Sequence, residues 1–180
     1  VNQEPIIIQG VNRHEHCPKH GKAVTKQSML QDVIMMKRYN FNAVRTSHYP
    51  NHPRFYDLCD EHGLYVCDEA NMETHGFNVG LHPTPFLSND PRWRLAHIAR
   101  VARMIQRDRN HASIIMWSLG NEAGCGGGQH AMATWARLND STRPLHYESG
   151  GSRTTCTDII CPMYARVRTC EYMAAETCAQ

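Results

Sequence analysis

The feature that most constrains the fold is an alternation along the chain between short β-branched or apolar runs and longer amphipathic stretches. The runs with strand character are Ile6–Ile8, Asn42–Arg45, Leu64–Cys67, Ser113–Ser118, Leu145–Tyr147 and Asp158–Cys161. The predicted helices between them are Ser28–Tyr39, Pro53–Asp60 with Gly63 as the cap, Trp93–Arg107 and Gln129–Leu138. In the first helix, Met29, Val33 and Met36 recur at helical spacing and predict a buried stripe. Strands that alternate with helices in this way form parallel sheets from repeated βα units.

This pattern predicts an α/β fold with about six βα units, which we interpret as a truncated (β/α)8 TIM barrel. A complete barrel takes about 250 residues, and this chain has 180. We therefore expect residues 1–180 to be a single partial domain, the N-terminal and central part of a barrel without its C-terminal strands. The abrupt start at Val1 and the end at Gln180 in a polar stretch favour a piece of a longer protein. An open doubly wound sheet is the alternative, but no glycine-rich phosphate loop follows the first strand.

Composition and charge exclude several classes of function. The chain is 41% hydrophobic and 20% charged, as in ordinary globular domains. Its formal charge of +2 is too small to indicate a nucleic-acid or anionic-membrane partner. No apolar run approaches the roughly 20 residues of a membrane helix, and no C-x-x-C pair occurs among the eight cysteines. We therefore expect a cytoplasmic protein with free thiols that acts on a neutral small molecule, with no nucleic-acid or membrane partner. Disulfides or a zinc site are the alternative for the cysteines.

Polar residues that directly follow the predicted strands would lie on one rim of a barrel, where active sites of this fold are built. After the first strand they are Asn12 to His16, and after the second Arg45, Ser47, His48 and Tyr49. After the third they are Asp68, Glu69, Glu73 and His75, after the fourth Asn121 and Glu122, and after the sixth Tyr164. The segment Glu69–Arg92, rich in Gly, Pro, Asn and His, is also too long for an ordinary connection and predicts a functional loop. Carboxylates, imidazoles and an arginine on one rim need a metal ion or a polar ligand to satisfy them, and carbohydrate hydroxyls match such a lining.

Five segments, in order, resemble the catalytic barrel of the large β-galactosidases of glycoside hydrolase family 2. They are GVNRHEH (Gly10–His16), FNAVRTSHYPNHP (Phe41–Pro53), GLYVCDEANMETHG (Gly63–Gly76), RDRNHASIIMWSLGNEAG (Arg107–Gly124) and TDIICPMYARV (Thr157–Val167). The resemblance covers almost the whole chain and implies a TIM barrel that belongs to a retaining glycosidase.

The resemblance implies roles for the rim residues that contact substrate. Glu122 would be the general acid/base, and Asn121 before it would hydrogen-bond the 2-hydroxyl of the sugar. His14 and His48 would contact galactosyl hydroxyls, and Tyr164 would lie beside the nucleophile. The chemistry agrees, because such an enzyme needs one carboxyl group to protonate the glycosidic oxygen and later deprotonate water.

The resemblance also implies a metal site. Glu73, His75 and Glu122 match the family's ligands for an active-site Mg²⁺. Magnesium prefers oxygen ligands and retains waters, so we expect weak binding by this set. A rim ion pair is the alternative interpretation of these three residues.

The nucleophile of a retaining glycosidase is the part of the family pattern that this chain lacks. The family places it after the seventh strand, in a Cys-Glu-Tyr motif followed by His-Ala-Met-Gly-Asn, and Arg45 matches the residue that orients it. Cys170–Tyr172 has the first three letters, but the residues after it differ, and periodicity places Val167–Thr177 on a helix. We expect the nucleophile to lie beyond the chain and the fragment alone to be inactive.

The function implied by the resemblance is a β-galactosidase that cleaves terminal β-D-galactosyl residues from β-galactosides such as lactose, within a homo-oligomeric full-length protein. Asp68–Gly76 and Asn121–Gly124 favour this activity over β-glucuronidase or another sister glycosidase. A non-catalytic remnant or carbohydrate-binding piece is the alternative from another class. Two departures from the family pattern are Cys17 in place of a His and the loop Cys125–Gly128 in place of a more polar one.

Overall fold

The computed structural model describes residues 1–77, 86–150 and 154–177 of the chain. Its five strands are β1 (Gly10–Arg13), β2 (Ala43–Thr46), β3 (Tyr65–Glu69), β4 (Ile114–Ser118) and β5 (Leu145–His146). They form one parallel sheet in the order β1-β2-β3-β4-β5. Strands that pair in sequence order, each after a crossover, are what the wall of a (β/α)8 barrel requires, so the predicted fold class is confirmed.

Helices lie between the strands, and one more follows the last described strand. They are α1 (Lys26–Arg38), α2 (Pro53–His62), α3 (Phe86–Asn89), α4 (Arg94–Asp108), α5 (Gly127–Asn139) and α6 (Val167–Thr177). The Thr25 side chain caps α1 by accepting a 3.1 Å hydrogen bond from the backbone N–H of Ser28. Pro53 opens α2 and Gly63 ends it at φ 67°, a left-handed conformation that glycine adopts without cost. The predicted start and stop of this helix are confirmed.

One hydrophobic cluster holds the sheet and helices together. Met29, Val33 and Met36 are buried on α1, which confirms the predicted stripe. Phe55 of α2 and Trp117 of β4 are among the largest side chains that are fully buried. Each large apolar side chain removed from water contributes about 1.5–3 kcal/mol, so this cluster is the main source of stability.

The first strand begins later than predicted. Ile6–Ile8 lies outside the sheet, with Ile7 79% and Ile8 50% exposed. The register of the β1–β2 ladder starts at Gly10 opposite Ala43. Strand propensity favours β-branched residues, but only pairing with a neighbour makes an extended segment a strand. The prediction of a strand at Ile6–Ile8 was therefore wrong by four residues.

The predicted sixth strand, Asp158–Cys161, is absent from the described residues, so five strands replace the six predicted. The backbone N–H of Asp158 donates to the carbonyl oxygen of Leu145 at 2.8 Å, but the return bond runs from the Leu145 N–H to the Asp158 side chain, also at 2.8 Å. Because a side-chain oxygen replaces the next ladder carbonyl, the segment runs beside β5 without extending the sheet.

The long predicted loop holds two short 3₁₀ turns, His75–Phe77 and Pro91–Trp93, and the short helix α3. Residues 78–85 of this loop, and Cys178, lie outside the described residues. Among the helices that the structure describes, none has the length and apolar character to cross a lipid bilayer.

Candidate active site

A cleft of about 360 Å³ opens at the carboxyl ends of the strands. Its lining comprises Asn12, Arg45, His48, Asn121, Glu122, His146, Glu148, Cys161, Pro162, Met163 and Tyr164. Six of these eleven are rim residues that the strand pattern singles out. The structure therefore brings together, in one cleft, polar side chains that lie more than a hundred residues apart in the chain.

The buried carboxylate of Glu69, at the end of β3, organises the floor of the site. Glu69 Oε2 accepts hydrogen bonds from Arg45 Nε and from Ser118 Oγ, both at 2.6 Å. Glu69 Oε1 lies 2.7 Å from His48 Nδ1. A carboxylate without solvent needs such partners, since a buried unpaired charge is costly. Glu69 thereby fixes the orientations of the arginine and the imidazole.

The register between β3 and β4 makes this arrangement possible. A shift in the ladder between Val66 and Cys67 leaves Glu69 paired with Ser118. The Ser118 hydroxyl therefore lies beside the Glu69 carboxylate. Without the shift, the two side chains would alternate to opposite faces of the sheet.

Arg45 links Glu69 to Asn121 by hydrogen bonds. Arg45 Nη2 donates to Asn121 Oδ1 at 3.0 Å, and Nη1 donates to Asn12 Oδ1 at 3.3 Å. Asn121 Nδ2 donates to Glu73 Oε1 at 3.3 Å. The oxygen of the Asn121 amide thus faces the guanidinium and its nitrogen faces the carboxylate. One of the two amide hydrogens is left for a ligand.

Glu122 follows in a left-handed backbone conformation, at φ 41°. Non-glycine residues rarely adopt this conformation, which costs about 1–3 kcal/mol and is concentrated at functional sites. The Glu122 N–H donates to Glu148 Oε1 at 2.7 Å, and Glu122 Oε2 lies 2.7 Å from His75 Nδ1. The side chain is 19% exposed, so the carboxyl group is held in place but remains accessible from the cleft.

Gly120 lets the backbone reach this position. It has φ 137°, and a Cβ there would collide with the carbonyl oxygen of Met72. The same carbonyl accepts a 2.8 Å hydrogen bond from the N–H of Asn121. The end of β4 therefore packs directly on the segment after β3, and this contact positions Asn121 and Glu122.

Glu73, His75 and Glu122, the predicted magnesium ligands, lie close together. His75 Nδ1 is 2.7 Å from Glu122 Oε2 and 4.0 Å from Glu73 Oε1. The ligand atoms of these three residues do not all lie within 4.8 Å of one another. Among the described residues, one other group has its ligand atoms that close together. The predicted magnesium set includes two carboxylates, the type of oxygen donor that Mg²⁺ prefers.

The structure also shows where the predicted sugar contacts lie. His48, Asn121 and Tyr164 line the cleft. His14 is not part of the cleft lining, but its ring contacts the ring of His48, with the two centroids 5.3 Å apart. Tyr164 is 87% exposed and has φ 55°. Glu171, in the Cys-Glu-Tyr motif rejected as the nucleophile, is exposed on α6, as the periodicity predicts.

Five cleft residues were not among the predicted rim residues, and two of them, His146 and Glu148, interact with the predicted ones. His146 Nδ1 lies 3.2 Å from Ser118 Oγ, and burial, together with the charge of Arg45, lowers the pKa of this imidazole. Glu148 Oε1 accepts from the Glu122 N–H, while Oε2 is buried with no hydrogen-bond partner among the described residues. Both lie at the end of β5, where the rim rule would have found them.

The family model described as the TIM barrel domain of glycosyl hydrolases family 2 matches residues 1–178. The chain belongs to this family. A protein named beta-galactosidase from Photobacterium profundum is 57% identical over 169 residues, which are 94% of this chain and 16% of that protein. A beta-galactosidase from Yersinia enterocolitica is 58% identical over 167 residues, 93% of this chain and 16% of that protein.

Solved structures share the fold of this chain. A Ruminococcus gnavus β-glucuronidase has a TM-score of 0.71 and 29% identity over 84% of this chain and 27% of its own. Bacteroides uniformis β-glucuronidase 3 has a TM-score of 0.70 at 24% identity over 97% of this chain and 23% of its own, and this likeness supports the fold alone. The chain spans about a sixth of the length of the curated relatives described above.

Proposed function

We propose that this chain supplies the acid/base half of the active site of a retaining β-galactosidase, with Glu122 as the general acid/base. The observation that carries the proposal is the placement of Glu122. It stands at the end of β4 in a left-handed conformation, held by Glu148 and His75, and opens into a cleft of hydrogen-bonding side chains. Terminal β-D-galactosyl residues of β-galactosides such as lactose would be the substrate.

The local geometry suits the two proton transfers. The Glu122 carboxyl group would first protonate the glycosidic oxygen and, in the second step, take a proton from water. Asn121 would donate its remaining amide hydrogen to the 2-hydroxyl of the sugar. The chain Glu69–Arg45–Asn121 fixes that amide before substrate arrives, and a donor oriented in advance stabilises a transition state most effectively.

The nucleophile would come from a part of the full-length protein beyond this chain. The two carboxyl groups of a retaining enzyme lie about 5–5.5 Å apart. Among the described residues, Glu148 is the other carboxylate that lines the cleft, but one of its oxygens accepts from the N–H of Glu122 itself and the other is buried. Arg45 and Tyr164 would border the position of the missing group.

A magnesium ion would be held by Glu73, His75 and Glu122. The ion would supply positive charge beside the acid/base and would compensate the two carboxylates. His75 Nδ1 lies 2.7 Å from Glu122 Oε2 and 4.0 Å from Glu73 Oε1, near both carboxylates. The homo-oligomeric state and the cytoplasmic location of the full-length protein stay predictions.

The test of the acid/base uses the full-length protein with Glu122→Gly. Loss of a general acid should reduce cleavage of lactose far more than cleavage of an aryl galactoside whose phenol leaves without protonation. Added azide should restore turnover of the aryl substrate and yield β-galactosyl azide. Glu171→Gln, a change of an exposed carboxylate on α6, is the matched control and should leave both rates unchanged. Equal losses for both substrates and no azide product from a folded variant would contradict the assignment.

The test of the metal uses Glu73→Gln in the same protein. The variant should need more Mg²⁺ for half-maximal activity while its thermal unfolding is unchanged. An unaltered magnesium titration would argue against this site.

β-Glucuronidase is the second candidate, because solved structures described as β-glucuronidases share the fold at 29% identity. The two activities separate on matched nitrophenyl β-galactoside and β-glucuronide. The identity of 57–58% to proteins named beta-galactosidase favours the galactoside. Turnover of neither compound by the folded full-length protein would support the non-catalytic alternative.

A further inference from the structure

Two thiols and an imidazole meet outside the cleft, on the loops that follow β4 and β5. Cys125 lies three residues beyond Glu122, and Cys156 lies in the segment after β5. Their sulfur atoms are 3.1 Å apart. His130, in the first turns of α5, places Nε2 3.9 Å from Cys125 Sγ and Nδ1 3.4 Å from Cys156 Sγ. We propose that Cys125, His130 and Cys156 form a binding site for a thiophilic divalent cation, with Zn²⁺ as the representative ion.

The distances are close to those that such an ion requires. One ligand atom from each of the three residues lies within 4.8 Å of the other two. Zn²⁺ bonds thiolate sulfur at about 2.3 Å and imidazole nitrogen at about 2.0–2.1 Å, so tetrahedral angles separate two sulfurs by about 3.8 Å and a sulfur from a nitrogen by about 3.6 Å. The sulfurs must therefore part by roughly 0.7 Å and Nε2 must approach Cys125 by roughly 0.3 Å.

The surroundings favour ligation through Nε2. His130 Nδ1 lies 2.9 Å from Thr155 Oγ1, and this oxygen can accept a hydrogen bond from the Nδ1–H. An imidazole that donates one N–H to an oxygen presents the other nitrogen as a lone-pair donor in a fixed orientation. Thr154 Oγ1 lies 3.8 Å from Cys125 Sγ and borders the remaining side of the site.

The chemistry of the donor set selects the class of ion. Two thiolates and one imidazole favour Zn²⁺ and similar soft cations over Mg²⁺ or Ca²⁺, which prefer oxygen. His130 is exposed while Cys156 is buried, so an ion can enter from the solvent side and water can complete its coordination. This set differs in both residues and ion type from Glu73, His75 and Glu122.

A bound ion would fasten two parts of the active-site wall to each other. Cys125 continues the loop that carries Glu122, and the segment of Cys156 continues to Cys161 and Tyr164, which line the cleft. A thiophilic metal bound there would therefore act on the position of the cleft wall from outside the cleft. The inference does not depend on which glycoside the protein cleaves.

Cobalt spectroscopy of the reduced full-length protein tests the proposal without an activity assay. Co²⁺ added under argon should produce thiolate-to-cobalt charge-transfer absorption and the intense visible bands of a tetrahedral site, and Zn²⁺ should abolish both. Cys125→Ser and Cys156→Ala should each remove the charge-transfer band. Cys170→Ser, which changes an exposed thiol on α6, is the matched control and should retain it.

His130→Ala tests the third ligand. Loss of even an outer-shell partner lowers metal affinity by about 10–100-fold, so loss of this ligand should weaken Co²⁺ binding at least about tenfold. Reduced wild-type protein with titratable thiols but no charge-transfer band would overturn the proposal. So would a band that survives in Cys125→Ser, the half-buried position whose variant has the better prospect of folding.

Discussion

Replacement of Glu69 tests whether this carboxylate orders the floor of the site. In Glu69→Gln, the amide oxygen can still accept from Arg45 and Ser118, and the amide nitrogen can donate to His48 in its other tautomer. The geometry is retained but the charge is lost. Hydrogen bonds to charged groups exceed neutral ones by about 1–2 kcal/mol, so we expect a loss of about 2 kcal/mol of unfolding free energy.

Glu69→Ala removes the carboxylate and leaves Arg45, Ser118 and His48 without this partner. Truncation of one member of a buried ion pair costs about 3–5 kcal/mol, and because Arg45 is 18% exposed, we expect the lower end, about 3 kcal/mol. Urea unfolding followed by far-ultraviolet circular dichroism measures both variants. Glu61→Gln removes the charge from an exposed pair with Arg54 and, as the control, should cost less than about 1 kcal/mol. A glutamine variant as unstable as the alanine variant, or an alanine variant as stable as the control, would refute the reasoning.

Three further predictions concern the backbone and two aspartates. Gly120→Ala should destabilise the protein by at least about 1–3 kcal/mol, because φ 137° is strained for alanine and its Cβ meets the Met72 carbonyl; unchanged urea unfolding would contradict this. Burial raises the pKa of Asp68 well above its ordinary value, so its contribution to stability is present at low pH and lost as pH rises above about 4. The stability of wild type relative to Asp68→Asn should therefore fall over that rise, and a constant difference would be evidence against it. Burial opposes ionisation of Asp140, but hydrogen bonds led by those of Thr142 lower its pKa from 3.8 to about 2. The advantage of wild type over Asp140→Asn should thus include about 1–2 kcal/mol that is present above pH 4 and disappears towards pH 2, and its persistence there would count against the assignment.

Local sequence signals predicted those parts of the fold that local chemistry determines. Pro53 and Gly63 mark the ends of α2 because each favours one backbone conformation that the helix end needs. Ile6–Ile8 and Asp158–Cys161 were wrong because their strand propensity has no suitable partner in the sheet. Pairing is a tertiary property, and runs of three or four residues carry little information about it.

The sequence predicted residues that line the cleft, but it did not predict the hydrogen bonds on the cleft floor that orient them. Glu122 and Asn121 are visible in the sequence because they follow an apolar strand. The role of Glu69 is not visible, since its partners Arg45 and Ser118 lie 24 and 49 residues away and the β3–β4 register decides which of them it meets. Cys125 and Cys156 are 31 residues apart in the chain, so no local spacing motif indicates that their sulfur atoms meet.

The order of strands in the sheet has a consequence for amide hydrogen exchange. In the described part of the chain, β2, β3 and β4 have a neighbour on each side, whereas β1 and β5 are paired on one side. We therefore expect the slowest exchange at the centre and faster exchange at both margins. Glu69 and Ser118 lie on slowly exchanging strands, and His14 and Tyr164 lie beyond the margins. The side chains that orient Arg45 thus belong to the last part of the sheet to open, while His14 and Tyr164 belong to segments that open first.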